Sequence, residues 1–418
     1  MNALLKSATI IDPKSEFHNT TQDILIEKGI ITKIAKNIRN TEGYKEISLD
    51  NLHVSQGWFD SSVSFGEPGF EERETIENGL KTAAKSGFTS VVLNTNTFPV
   101  TDTGSQVSFL QSKSKNSPVT LEIYGAVTKK SEGKELAELY DMHKAGAIAF
   151  YDYKSAITNA NLMKIALQYA SNFGGLVCSF PQNNTIAGKG VVNEGKTSTL
   201  LGLKGNPTLA EELQIARDLY LLEYTGGKLH IPTISSAKSV ELIREAKKKK
   251  LNVTCSVAIH NLFFTDEVLK EFDSHFKVLP PLRTHEDIRV LLEGLKDGTI
   301  DMVTSDHNPL DTERKKLEFD HADYGTIGLE SAFGALNSLL TIKKTIEILT
   351  SGRDIFNIEN HNIKKDSEAN LTLFTPSGNQ TFSEKDILSK SKNSAFLGSK
   401  LKGRVYGIIA KNKTVLNS

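Results

Sequence analysis

The sequence predicts an α/β chain: a TIM-type (β/α)8 barrel with a small β-sandwich domain built from both termini. Three observations carry that expectation. From residue 57 to about 345, short apolar runs alternate with helical patterns, which is the texture of βα units and a parallel sheet. Eight such runs occur, the number that closes a barrel. Outside this span, before residue 57 and after about 368, β-prone runs separated by turn residues replace the helical period.

The first 56 residues hold the runs Ala8–Ile11, Asp23–Ile26 and Ile30–Ile34, spaced for a small meander. The eight barrel runs follow: Gly57–Phe65, Ser90–Asn94, Leu121–Val127, Ala147–Tyr153, Gly175–Phe180, Leu229–Ser235, Val253–Ile259 and Asp301–Asp306. Helical patterns lie between or after them, as in Glu74–Ser86, Ala210–Tyr224, Ser239–Lys249, Glu286–Leu295 and Leu329–Leu340. An open doubly wound sheet is the rival architecture, but the Gly-rich phosphate turn that often accompanies it is absent. Residues 346–418 read as a linker and the second part of the sandwich. Its strands are expected at Asn370–Phe374, Val405–Ala410 and Thr414–Leu416, broken by the polar stretch Thr375–Lys385. The expected units are therefore 1–56, 57–345 and 346–418.

Lys plus Arg and Asp plus Glu each total 50, so the formal net charge is zero and neither a nucleic-acid nor a membrane-surface partner is indicated. The two cysteines, Cys178 and Cys255, lack C-x-x-C spacing, which argues against a disulfide framework and a cysteine zinc site. With no signal-like start and no run of about 18 apolar residues, a cytoplasmic protein is expected.

The stretch GWFDSSVSFGEPG, Gly57–Gly69, reads as a buried strand running into a functional loop. Alternation along a strand puts Asp60, Ser62 and Ser64 on one face and Phe59, Ser61, Val63 and Phe65 on the other. Hydrolysis of an amide at a metal in a barrel core commonly uses two histidines on such a row, because imidazoles two residues apart converge on one ion. Both of those positions are serine here.

The segment FDSSVSFGEPGFEERETIENGLKTAAKSGFTSVV resembles the first strand, loop and helix of the dihydroorotases, in the cyclic amidohydrolase family, which read D-x-H-x-H-L-R-E-P-G. The resemblance extends over nearly the whole chain, through KGVVNEGKTSTLLGLKGNPTLAEELQIARDLYLLEYTGGKLHI, KVLPPLR, LLEGLKDGTIDMVTSDHNP and SKSKNSAFLGSKLKGRVYGIIAKNK. It implies that the metal-binding histidines fall on Ser62 and Ser64 and the substrate-binding arginine on Gly66. It further implies ligand positions at Ser179 and Thr233, a bridging carboxylate position at Asp152, the general-base position at Asp306 and a substrate-binding asparagine at Asn96. Leu279 stands where the family has an asparagine.

A hydrolytic metal site needs about three or four converging protein ligands and an open position for water. Four of the implied ligands are hydroxyls, so no metal is expected, with zinc required if the chain is active after all. His230 reads as a packed or hydrogen-bonded histidine, His260 as a surface or rim one, and Arg283 as a loop anchor. A Ser-His-Asp triad from His307 and Asp306 lacks a nucleophile elbow. The expectation is a non-catalytic dihydroorotase-like protein of pyrimidine biosynthesis, a structural or regulatory partner of aspartate carbamoyltransferase or a homo-oligomer. The alternative is an active dihydroorotase or related cyclic amidohydrolase with an atypical metal site.

Overall fold

The protein is described here over residues 1–417 by a computed structural model. Five strands open the chain: β1 (Ala3–Ile10), β2 (Thr21–Glu27), β3 (Ile30–Ala35), β4 (Lys45–Ile47) and β5 (His53–Gln56). The barrel strands follow as β6 (Trp58–Val63), β7 (Phe88–Leu93), β8 (Thr120–Gly125), β9 (Ala147–Tyr151) and β10 (Leu176–Cys178). A two-stranded ribbon, β11 (Val192–Asn193) and β12 (Gly205–Asn206), interrupts them before β13 (Lys228–Ile231), β14 (Val253–Ala258) and β15 (Met302–Thr304). The chain ends with β16 (Leu371–Thr381), β17 (Lys400–Ala410) and β18 (Lys413–Leu416).

Strands β6 to β10 and β13 to β15 pair in parallel, in chain order, as one eight-stranded sheet. The sheet closes at its mouth: Ser64 donates its amide to the His307 carbonyl at 2.8 Å, and the His307 amide donates to the Ser62 carbonyl at 3.2 Å. The sequence dictates the helices between strands through ordinary end signals. Helix Ile76–Lys85 starts where the Thr75 hydroxyl accepts from the Asn78 amide, and it buries Ile76, Leu80, Ala83 and Ala84, one face of a 3.6-residue period. Helix His285–Asp297 carries a reciprocal Thr284–Asp287 cap and ends at Gly298, whose φ of 81° closes the last turn.

Both termini meet in a second eight-stranded sheet, ordered β18-β17-β16-β5-β1-β2-β3 with β4 on β1. Hydrogen bonding runs through it without a break between two layers. Strand β16 also runs past Phe374 to Thr381, through the polar stretch expected to end it, because Asn379, Gln380 and Thr381 pair with Lys402, Leu401 and Lys400. Backbone pairing with a long partner overrides the low strand propensity of those residues. Helix Ile342–Ile355 packs against β6 and β15, so the expected boundary at 345 falls within a helix that belongs to the barrel.

Alternation sorts the barrel residues. Val92, Tyr124, Ala149, Tyr151, Cys178 and Met302 fill the interior, while Val91, Ile123, Phe150, Val177, Leu229 and Val303 face the helices. Phe59, expected opposite Asp60, joins the interior group and packs on Phe356 at 5.5 Å between ring centroids. Register shifts on both sides of the Phe59–Asp60 pair account for the departure from strict alternation. Trp58 points outward, stacks on Phe333 at 4.9 Å and lies 5.6 Å from Phe374 of β16, joining barrel and terminal sheet in one core.

Candidate functional site

The mouth of the barrel, at the C-terminal ends of its strands, is where such folds place their chemistry. Ser62 and Ser64 project into it from β6, as alternation requires. The Ser62 hydroxyl donates to Asp306 Oδ1 at 3.0 Å, and Ser64 donates to Asn96 Oδ1 at 3.0 Å. Asn94, which shares the inward face with Val92, donates to both serines at 3.1 Å. Asn96 and Asp306, two family positions, thus lie in one polar network, with Asp306 buried and Asn96 half-buried.

The other carboxylates are committed elsewhere. Asp152 follows the inward Tyr151 and so turns out of the mouth, where it accepts from the amides of Val127 at 2.8 Å and Thr128 at 3.1 Å and from the Thr128 hydroxyl. Burial pushes its carboxyl up to about 6 against these donors. Asp60 stitches the barrel seam, accepting from the Ser62 and Ser305 amides at 2.9 Å and from the Thr304 hydroxyl. Burial raises its carboxyl as well. Ser179, one residue past inward Cys178, faces the helix layer and donates to Asp218 at 2.6 Å. Thr233 has a left-handed backbone, φ 51°, and its buried hydroxyl has no partner.

Two residues that sequence reasoning passed over complete the mouth. Tyr153 donates its hydroxyl to Asp306 Oδ1 at 3.2 Å, and the Lys154 ammonium lies 2.7 Å from Asp306 Oδ2. The ion pair is secluded, with side-chain exposures of 11% for Lys154 and 1% for Asp306. Alternation from Tyr151 places Tyr153 inward; that signal was present in the run Ala147–Tyr153, with Lys154 immediately after it.

The histidines are held in three different settings. His230 points into the barrel one layer below the mouth, where its ring nitrogens meet the hydroxyls of Thr254 at 2.9 Å and Ser256 at 3.1 Å. Burial lowers it to about 3, and it is neutral. His260 corrects an expectation: it is fully buried rather than at the surface, and neither ring nitrogen has a partner. The helix Ile259–Phe263, which follows β14 directly, turns it inward. His307 accepts at Nδ1 from the amides of Gly328 at 3.2 Å and Leu329 at 3.4 Å. Its Nε2 has no partner, so the ring bonds neither Asp306 nor a serine and no triad forms. Arg283 anchors the ribbon loop, donating to Ser235, Asn193 Oδ1 and the Asn206 carbonyl at 3.0, 2.9 and 2.7 Å.

Gly66 closes the site to the family's arginine. Its φ of 37° is left-handed, and a Cβ there would sit 2.1 Å from the Phe70 carbonyl oxygen. Among the described residues, no three His, Cys, Asp or Glu side chains converge as a metal site would require. Around Asp306 the polar contacts are the hydroxyls of Ser62 and Tyr153 and the Lys154 ammonium, a set that lacks the three or four converging ligands of a zinc centre.

The architecture is that of a TIM-type (β/α)8 barrel carrying a sheet built from both termini. Over its whole length the chain superposes on an L-hydantoinase (dihydropyrimidinase) from Arthrobacter aurescens, with a TM-score of 0.87 at 22% identity and 96% of that chain covered. A D-hydantoinase from a Thermus species gives 0.83 at 21%, covering 99% of this chain and 95% of the other. Sequence comparison is more specific. The family described as dihydro-orotase-like matches residues 53–239. A dihydroorotase of Pelotomaculum thermopropionicum is 38% identical over 100% of this chain and 99% of its own. One of Acetivibrio thermocellus is 39% identical over 99% and 98%. The chain belongs to the dihydroorotase family. Among the described residues no helix is long and apolar enough to cross a membrane.

Proposed function

We propose that this chain is a non-catalytic dihydroorotase-family protein of pyrimidine biosynthesis that binds no zinc at its barrel mouth and acts as a structural or regulatory partner of aspartate carbamoyltransferase. The observation that carries the reading is the secluded Lys154–Asp306 pair, which ties up the carboxylate at the general-base position beside serines at two ligand positions. A general base needs a free carboxylate within reach of the proton it takes, and the family's water needs an ion to activate it. Without both, the turnover expected of a dihydroorotase falls by more than about 10⁴-fold. The partner role rests on the intact barrel and terminal sheet around a disabled mouth, and on the transferase being the preceding step of the pathway that the family implies.

One observation favours the second reading, an active enzyme with an atypical metal site: full-length identity of 38–39% to proteins named dihydroorotase. Metal analysis of the purified chain, assays of ring opening and closure, and co-purification from the native cell separate the two. The expected result is no stoichiometric zinc, no turnover above background and recovery with the transferase. Zinc near one ion per chain with measurable cyclisation of carbamoyl-aspartate refutes the non-catalytic reading. Transferase activity unchanged on deletion of this protein refutes the partnership.

A further inference from the structure

We infer that Lys154 is a tethered cation: its ammonium stands in the barrel mouth as the resident positive charge against Asp306, and it bars a divalent ion from that carboxylate. The inference deepens the metal-free reading above, on which it rests, by naming the group that excludes the metal.

The geometry around Lys154 is built rather than incidental. The residue adopts φ 52°, a left-handed conformation, in the turn that follows β9. Its amide donates to the Tyr151 hydroxyl at 3.3 Å, fixing the turn immediately after β9. From there the side chain runs inward along Tyr153, with the ammonium 5.2 Å from that ring centroid, to reach Asp306 Oδ2 at 2.7 Å. The second oxygen of Asp306 is taken by Ser62 and Tyr153. The carboxylate therefore has protein donors on both oxygens.

Sequestering a carboxylate is costly unless a charge partner and hydrogen bonds compensate it. In a metal site the ion supplies that charge. Here Lys154 supplies it from within the chain, and any cation approaching Asp306 has to displace an ammonium that is itself nearly out of water. The ammonium repels a second cation at the same carboxylate, so occupancy by Lys154 weakens binding of an ion there.

Two measurements on the full chain test this. The first is a double-mutant cycle by chemical denaturation with Lys154→Met and Asp306→Asn. Each single variant is expected to lower the folding equilibrium constant by about 100-fold, the double variant by much less than their product, leaving a coupling of at least about tenfold. Additive losses overturn the inference. The second is zinc uptake, by equilibrium dialysis against zinc alone, with Ser62→His and Ser64→His introduced together. In the Lys154 background no uptake is expected; with Lys154→Met added, affinity is expected to rise at least tenfold. Equal uptake in both backgrounds overturns the inference even though the metal-free reading of the natural protein stands, whereas zinc bound by the unaltered chain refutes that reading itself. Should Lys154→Met fail to fold, Lys154→Arg serves in the cycle. It is expected to retain most of the coupling to Asp306, and loss of that coupling counts against a charge role.

Discussion

Replacing His307 by asparagine isolates one buried imidazole while keeping its acceptor, since the asparagine Oδ1 can take the Gly328 and Leu329 amides that Nδ1 holds. Burial lowers His307 to about 4, so its folded value lies below the ordinary unfolded value of about 6.5. The sign follows from that order. A depressed folded value contributes stability that is fully present above about 6.5 and is lost as pH falls toward 4. At pH 7 about a quarter of unfolded imidazoles carry a proton, and at pH 5 nearly all do, while the native ring stays mostly neutral. Integrating the difference at about 1.36 kcal/mol per unit gives a loss of about 2 kcal/mol between pH 7 and 5 that the asparagine variant does not suffer. Urea denaturation of both proteins at a series of pH values is the assay. The expected result is a stability gap that moves in the variant's favour by about 2 kcal/mol over that interval, whatever its size at pH 7. Parallel curves refute the reasoning, because they require His307 to titrate alike in folded and unfolded chains.

Two further outcomes are expected. Asp152, raised to about 6 by burial, contributes stability that is present below its unfolded value and lost as pH rises through 6. Asp152→Asn should therefore fare about 1.5 kcal/mol better relative to the parent at pH 8 than at pH 5, by denaturation at both pH values. A metal-ligand role would instead show as a variant-dependent change in bound metal. Arg283, buried among Ser235, Asn193 and the Asn206 carbonyl with Glu211 at 3.9 Å, should cost about 3–5 kcal/mol on conversion to Met, read by the same method. A loss under about 1 kcal/mol would mean that the loop is held by something else.

Much of this was legible before any coordinates. Each of the eight apolar runs contains the core of a barrel strand, because apolar runs bounded by helical periods have few other ways to bury themselves. Asp306 and Asn96 were placed in the mouth by motif, and the serines by alternation. What escaped the sequence is geometric. Asp152 keeps its residue type at a bridging position, yet alternation from Tyr151 turns it onto the Val127 and Thr128 amides. His260 looked like a rim residue because nothing in AIHNLFF reveals that a helix begins directly at the strand end and swings the ring inward. Lys154 was invisible for the same reason. Its role depends on a left-handed turn and on a side chain crossing the mouth, and neither leaves a spacing signature.

The carboxylates around the mouth are each held by donors from within the chain. Removing an ion from among carboxylates strands buried negative charge, and a folded barrel tolerates that only if each carboxylate gains donors. Every acidic group near the mouth has them here: Asp306 has Lys154, Tyr153 and Ser62, Asp152 has two amides and a hydroxyl, and Asp60 has two amides and Thr304. Ser179, at another ligand position, donates outward to Asp218 and so contributes to packing of the helix layer. The carboxylates thereby hold the strand ends together, and restoring a ligand means breaking a contact the barrel now uses. Gly66 states the same constraint sterically, since the arginine of the family cannot return without moving the Phe70 carbonyl. Rearranging any one of these carboxylates would therefore disturb contacts on more than one strand.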